Sequence, residues 1–231
     1  MGYAEFDFGA FTRQLEMDAA EILSGGSSSE ERISALQLVR ERAEGALTLE
    51  QGACLSEIAC GPACGHCCVV NVAVLPPEAE SIVADLRRRL SSEDLTGVAR
   101  RLEDLYCRIV GLDDDDRPLL YAPCAFLDET KSCSIHPVRP LMCRSITSTD
   151  PQACREAISL QAFGENPTIL SNLFQSALFE HSFIALARAL ARTGNNSSSS
   201  TLTASTRQLL LRPPDISPGN SLSRSNRNRP Q

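Results

Sequence analysis

All ten cysteines fall between Cys54 and Cys154. Thiols at this local density either cross-link a small fold or bind a soft metal, since the thiolate serves both chemistries. The densest run is CGPACGHCC, which sets Cys60, Cys64, Cys67 and Cys68 in a CxxxCxxCC pattern. Gly61, Pro62 and Gly65 oppose a regular helix there and let the backbone turn sharply round an ion or cluster. A second set, Cys124, Cys133 and Cys143, follows as C-x8-C-x9-C, with Cys154 beyond it. Pro123, Pro137 and Pro140 flank these residues, which suits loops around a site rather than a packed core. Adjacent side chains diverge, so the pair Cys67 and Cys68 is hard to satisfy with one mononuclear ion. Two nearby metals or one polynuclear cluster accommodate it better. Eight thiols fill two tetrahedral sites, or one cubane with four to spare. Disulfide pairing is the competing use, and a redox switch that releases metal on oxidation is a third.

Other residues are weaker candidates. His66 and His136 lie inside the cysteine motifs and imidazole suits zinc and iron, but loop histidines are commonly solvated. Arg139 and Arg144 are candidates for offsetting thiolate charge or binding an anion, against a plain salt bridge with the acidic body. Cys107 reads as a small buried residue on a helix, and His181 as a helix residue without a site. Lys131 is the only lysine, in a polar stretch unsuited to lowering its pKa, which argues against a Schiff-base mechanism. The run Asp113 to Asp116 lacks the spacing of a calcium loop and reads as a solvated turn.

Elements must bring the two cysteine sets together, and the periodicity before them and between them is helical. ERISALQLVRERAEGAL carries Ile33, Leu36, Val39 and Ala43 on one face. Pro76 and Pro77 announce a second helix with Ile82, Leu86 and Leu90. Ser91 and Asp94 cap a third, whose buried face holds Leu95, Val98, Leu102, Leu105, Tyr106 and Ile109. A last long helix is expected from near Pro167 through Leu190. Only VVNVAVL and LLYA read as strands. After Arg192 the composition turns to Ser, Asn, Pro and Arg, which predicts a disordered tail.

Charge and targeting narrow the class. With 22 Lys+Arg against 29 Asp+Glu the net charge is -7, which argues against a general nucleic-acid binder. The predicted tail carries five Arg and one Asp, leaving -11 on residues 1 to 192. No apolar run approaches the roughly 20 residues of a membrane span, and the N-terminus lacks a secretory pattern. The expectation is a cytoplasmic protein without membrane partners, where thiols stay reduced and metal binding is favoured over disulfides.

CGPACGHCC, followed by VVNVAVLPPEAESIVADLR and CAFLDETKSCSIHPVRPLMCR, resembles the CxxCxxCC family of zinc- or iron-chelating proteins. These are the YkgJ-like cysteine-cluster proteins, a group that includes flagellin lysine N-methylases. The resemblance covers roughly residues 55 to 155. It implies a shared metal site from Cys60, Cys64, Cys67, Cys68, Cys124, Cys133 and Cys143, with Cys154 less fixed in spacing. Arg139, Pro140, Cys143 and Arg144 represent the family's RPxxCR element. His136 stands where the family usually has tyrosine, and three residues rather than two separate Cys60 from Cys64.

Cys60, Cys64 and Cys67 also read as the CxxxCxxC of radical enzymes that use S-adenosylmethionine, but two short strands cannot build their partial barrel. No GxGxxG loop is present, so methylation rests on family analogy alone. The expected protein is mainly α, a small helical domain with cysteine-rich metal-binding loops and few short strands. Its parts are an N-terminal helical region (1–50), a cysteine-cluster domain with a C-terminal helix (51–192) and a disordered tail (193–231). The expected function is to hold an iron–sulfur cluster or zinc. The alternatives are a protein lysine N-methylase and a labile metal carrier.

Overall fold

The computed structural model describes residues 6–51, 58–161, 165 and 168–212. The protein is mainly α, as expected. In chain order it runs α1 (Phe8–Ser24), α2 (Ser29–Gln51), β1 (Ala73–Val74), α3 (Pro76–Arg89) and α4 (Ser92–Ile109). Then come α5 (Asp116–Leu119), a 3₁₀ turn (His136–Val138), α6 (Leu141–Ser145), α7 (Pro151–Gln161), α8 (Leu173–Arg192), β2 (Ser200–Thr201) and α9 (Leu202–Leu211). No described helix is long and apolar enough to cross a membrane.

Two apolar cores organise these elements. In the first, Leu15 and Leu23 of α1 meet Leu36 and Val39 of α2 and Leu178, Phe179, Leu186 and Leu190 of α8, with Leu141 of α6 beneath them. The sequence pattern did not single out α1. Its N-cap is Asp7, whose carboxylate accepts from the Ala10 N–H at 2.8 Å, and it is pinned to α8 where the Thr12 hydroxyl meets His181 Nδ1 at 2.8 Å. The second core joins Ile82 and Leu86 of α3 to Val98, Leu102 and Leu105 of α4, to Phe126 and Ile135 of the cysteine loops, and to Leu202 of α9. The α4 start is as its sequence dictates, with Ser91 Oγ accepting from the Asp94 N–H at 3.1 Å.

Four expectations need correction. VVNVAVL is extended in a ladder only at Ala73 and Val74, because the chain before it is folded into turns, with the Val70 N–H on Cys67 O. LLYA is no strand, since Leu119 closes the single turn of α5 and the Tyr121 N–H returns to Pro118 O at 3.0 Å. The last long helix begins at Leu173 rather than near Pro167, capped by the Asn172 side chain on the Gln175 N–H at 2.9 Å. Residues 193–212 are not a solvated appendage. β2 pairs antiparallel with β1, and α9 buries Leu202, Thr203 and Thr206 while it packs against α3 and α4. Composition missed this because a few apolar residues, spaced for one helix face, suffice when a groove awaits them. Residues 213–231 lie outside the described residues.

Candidate metal centre

The CGPACGHCC segment folds as two successive tight turns. The Cys64 N–H donates to Gly61 O and the Cys68 N–H to Gly65 O, each at 3.1 Å, and Ala63 takes the left-handed φ of 64° inside the first turn. Gly65 allows a close approach, since a Cβ there would stand 3.1 Å from Leu127 Cδ1 and press on that side chain. That approach lets the second cysteine set dock. The Cys124 N–H donates to Cys68 O at 2.7 Å. The chain then doubles back through the Leu127–Cys133 bridge, around a turn in which Asp128 Oδ1 accepts from the Thr130 N–H at 2.8 Å and the Ser132 N–H at 2.9 Å. Cys143 rides on α6 and Cys154 on α7. Cys60 is docked on the link between those helices, where the Ser148 N–H donates to its sulfur at 3.3 Å.

These docks place all eight cysteines of the two motifs on the wall of one cavity of about 220 Å³. Cys60 is exposed at its mouth, and the other seven are partly buried. The described cysteines are all unpaired thiols. Among the described residues, no three Cys, His, Asp or Glu side chains converge closely enough to hold a metal ion as they stand. The donor chemistry of the cavity nevertheless fits a soft metal, because thiolate sulfur is the ligand that zinc and iron–sulfur clusters share.

The thiols divide into an inner and an outer group. Cys68, Cys124, Cys133 and Cys143 act electrostatically on one another or on Cys67, whereas Cys60 feels Cys64, Cys67 and Cys154. Burial pushes Cys124 up to about 11 and raises Cys143, Cys133 and Cys60 as well. Cys67 is the exception. Hydrogen bonding from Cys68 lowers it to about 7, with Arg139 assisting, while Cys68 is raised correspondingly. The lowered value of Cys67 favours its thiolate, the form that a metal ion takes.

Of the weaker candidates, Arg139, His66 and His136 line the same cavity. Burial lowers both histidines, His66 further under Arg155 and Lys131, and His136 under Arg139 and Arg144. Arg144 does not line it. Its guanidinium donates to Arg139 O at 3.2 Å and Pro137 O at 3.1 Å and pairs with Glu44 at 2.6 Å, which makes it a clasp for the Pro137 to Pro140 turn. Cys107 is exposed on α4, its thiol on Glu103 at 3.6 Å, which corrects its reading as a buried residue. Cys54 lies outside the described residues.

Two residues that the sequence did not single out shape the site. Glu78 is fully buried at the start of α3 and ties α6 in place. Arg117 is 2% exposed and lines the cavity beside Cys124, although its position between an aspartate run and a proline reads only as a loop.

The chain matches no curated protein and no solved structure. Residues 59–166, which contain the whole cavity-lining cysteine set, match the family model CxxCxxCC, described as a putative zinc- or iron-chelating domain.

Proposed function

We propose that this protein binds metal through the cavity thiols, holding either zinc or an iron–sulfur cluster. The observation that carries the reading is the collection of eight unpaired thiols on one cavity wall within the matched domain. Cys67, Cys68, Cys124, Cys133 and Cys143 would hold the inner metal, and Cys60, Cys64 and Cys154 extend the donor set toward the mouth. Zinc with four thiolates would be structural, and an iron–sulfur cluster would supply electron transfer. The work of this chain's own residues is to dock the two cysteine loops, to keep Cys67 poised as thiolate and to place Arg139 against the accumulated negative charge.

A labile carrier is the second reading, favoured by the exposure of Cys60 at the mouth, which gives metal a route in and out. Lysine methylation has less support, because a cavity of about 220 Å³ falls below the roughly 300–1,000 Å³ of typical small-molecule sites. Metal and acid-labile sulfide analysis with a visible spectrum, on protein purified without oxygen, tests the proposal. Iron with equimolar sulfide and a brown colour establishes a cluster. Colourless protein with stoichiometric zinc establishes a zinc site, and loss of that zinc to a chelator at modest excess establishes the carrier. Metal-free protein with paired cysteines overturns the proposal.

A further inference from the structure

Arg117 is an anomaly by the ordinary rules of burial. A guanidinium offers five N–H donors, and a buried one is normally paired or fully hydrogen-bonded. This one is 2% exposed, yet only Nη2 is engaged, donating to Ala122 O at 2.8 Å. Nε and Nη1 are both buried without a hydrogen-bond partner among the described residues. An unsatisfied buried cation is costly, so a fold that retains one needs an anion that arrives later.

The position of the side chain says which anion. Arg117 lines the cysteine cavity, and Ala122, its one partner, lies two residues before Cys124. The charges that act on the guanidinium are those of Cys124, which favours its protonated form, and Arg108, which opposes it. Cys124 lines the same cavity as a free thiol. Metal binding replaces the thiol proton, leaving a thiolate that accepts hydrogen bonds where the S–H accepted few.

We propose that Arg117 is a preplaced countercharge for the metal-bound state, donating from Nε and Nη1 to the thiolate of Cys124. This rests on the metal-binding reading above. Arg117 touches no metal and acts through Cys124, so it is a positioning residue. It complements Arg139, whose Nε is likewise buried without a partner on the same cavity. The two cations stand against the inner thiol group, where a divalent ion with four thiolates would otherwise carry a net charge of about -2.

The test uses the full chain, reduced and stripped of metal, titrated anaerobically with zinc ion against a chromophoric chelator, with thermal melting of the metal-free and zinc-loaded forms. Arg117→Met should weaken zinc binding by about ten-fold or more, the usual range for a residue that orients a ligand. It should leave the metal-free protein melting as high as the wild type or higher, because it removes an unpaired buried charge. A purely structural arginine predicts the opposite, a lower melting point without metal and unchanged zinc affinity, and that result would overturn the role. Should the Met variant not fold, Arg117→Gln keeps a donor for Ala122 O without the charge. It should show the same loss of affinity, and wild-type affinity in that variant overturns the role too. A wild type that takes up no zinc would sink the zinc form of the metal reading and this role together, whereas zinc-binding wild type and variants of equal affinity would sink this role alone.

Discussion

The Glu78 carboxylate holds the N–H of Leu141 at 2.8 Å through Oε1 while Oε2 accepts the Leu75 N–H, also at 2.8 Å. One buried side chain thereby joins the start of α3 to the start of α6, two residues before Cys143. Arg40 and Arg144 supply the opposing charge. Removing the carboxylate orphans two buried amide donors, at about 1–3 kcal/mol for each. Glu78→Ala should therefore be strongly destabilising in urea denaturation. It should also loosen α6, so that the fraction folded retains less metal than the wild type. A variant with wild-type stability would show that the bridge does not hold α6.

Glu78 also sets a pH dependence. Burial raises it above its ordinary 4.5, opposed by the Leu75 and Leu141 N–H groups and by Arg40 and Arg144. A carboxylate raised in the folded state binds more protons folded than unfolded. Its contribution is fully present below the unfolded value of 4.5 and is lost as pH rises through the higher folded value. Glu78→Gln cannot titrate, so across that window its denaturation free energy should fall less steeply with pH than that of the wild type. Parallel pH profiles would show that Glu78 is not the titrating group.

The helices α2, α3 and α4 were legible because each carries its own instructions: Ile82 and Leu86 behind the prolines, and Ser91 with Asp94 ahead of Val98 and Leu102. Both cysteine motifs were legible for the same reason. The α1 helix buries Thr12, Leu15, Ala19, Ala20 and Leu23 and packs on α8, and the threonine and small alanines on that face do not advertise burial by themselves. Tertiary pairing likewise decides α9, which owes its place to α3 and α4. Arg117 and Glu78 were invisible for a different reason. Each matters through the burial that the fold gives it, and nothing in the local sequence distinguishes a buried guanidinium or carboxylate from the solvated kind.

Leu202 tests whether α9 belongs to the domain. It is 5% exposed, packs in the second core and lines the cysteine cavity, and its N–H donates to Val72 O at 2.8 Å. Leu202→Ala should cost about 2–5 kcal/mol, as buried leucine truncations do. Arg207 on the same helix pairs with Glu103 and lies over the Tyr106 ring at 4.5 Å on the surface, so Arg207→Ala should move stability far less. Equal and small effects of the two substitutions, read by chemical denaturation, would mean that α9 is an appendage after all.

Cys67 stands between the inner and outer thiol groups and is lowered to about 7 by hydrogen bonding from Cys68, whose own value is raised so that it holds its proton. A metal ion that displaces that proton gains two adjacent thiolates at once, and a serine at either position withholds one of them. Cys67→Ser and Cys68→Ser should each lower metal content and the melting temperature of the metal-loaded protein, with Cys67 the more damaging because both groups use it. Cys107→Ser, on the exposed face of α4, supplies the control and should change neither. Full metal content and unchanged melting in both pair variants would remove Cys67 and Cys68 from the ligand set and leave the inner site to Cys124, Cys133 and Cys143.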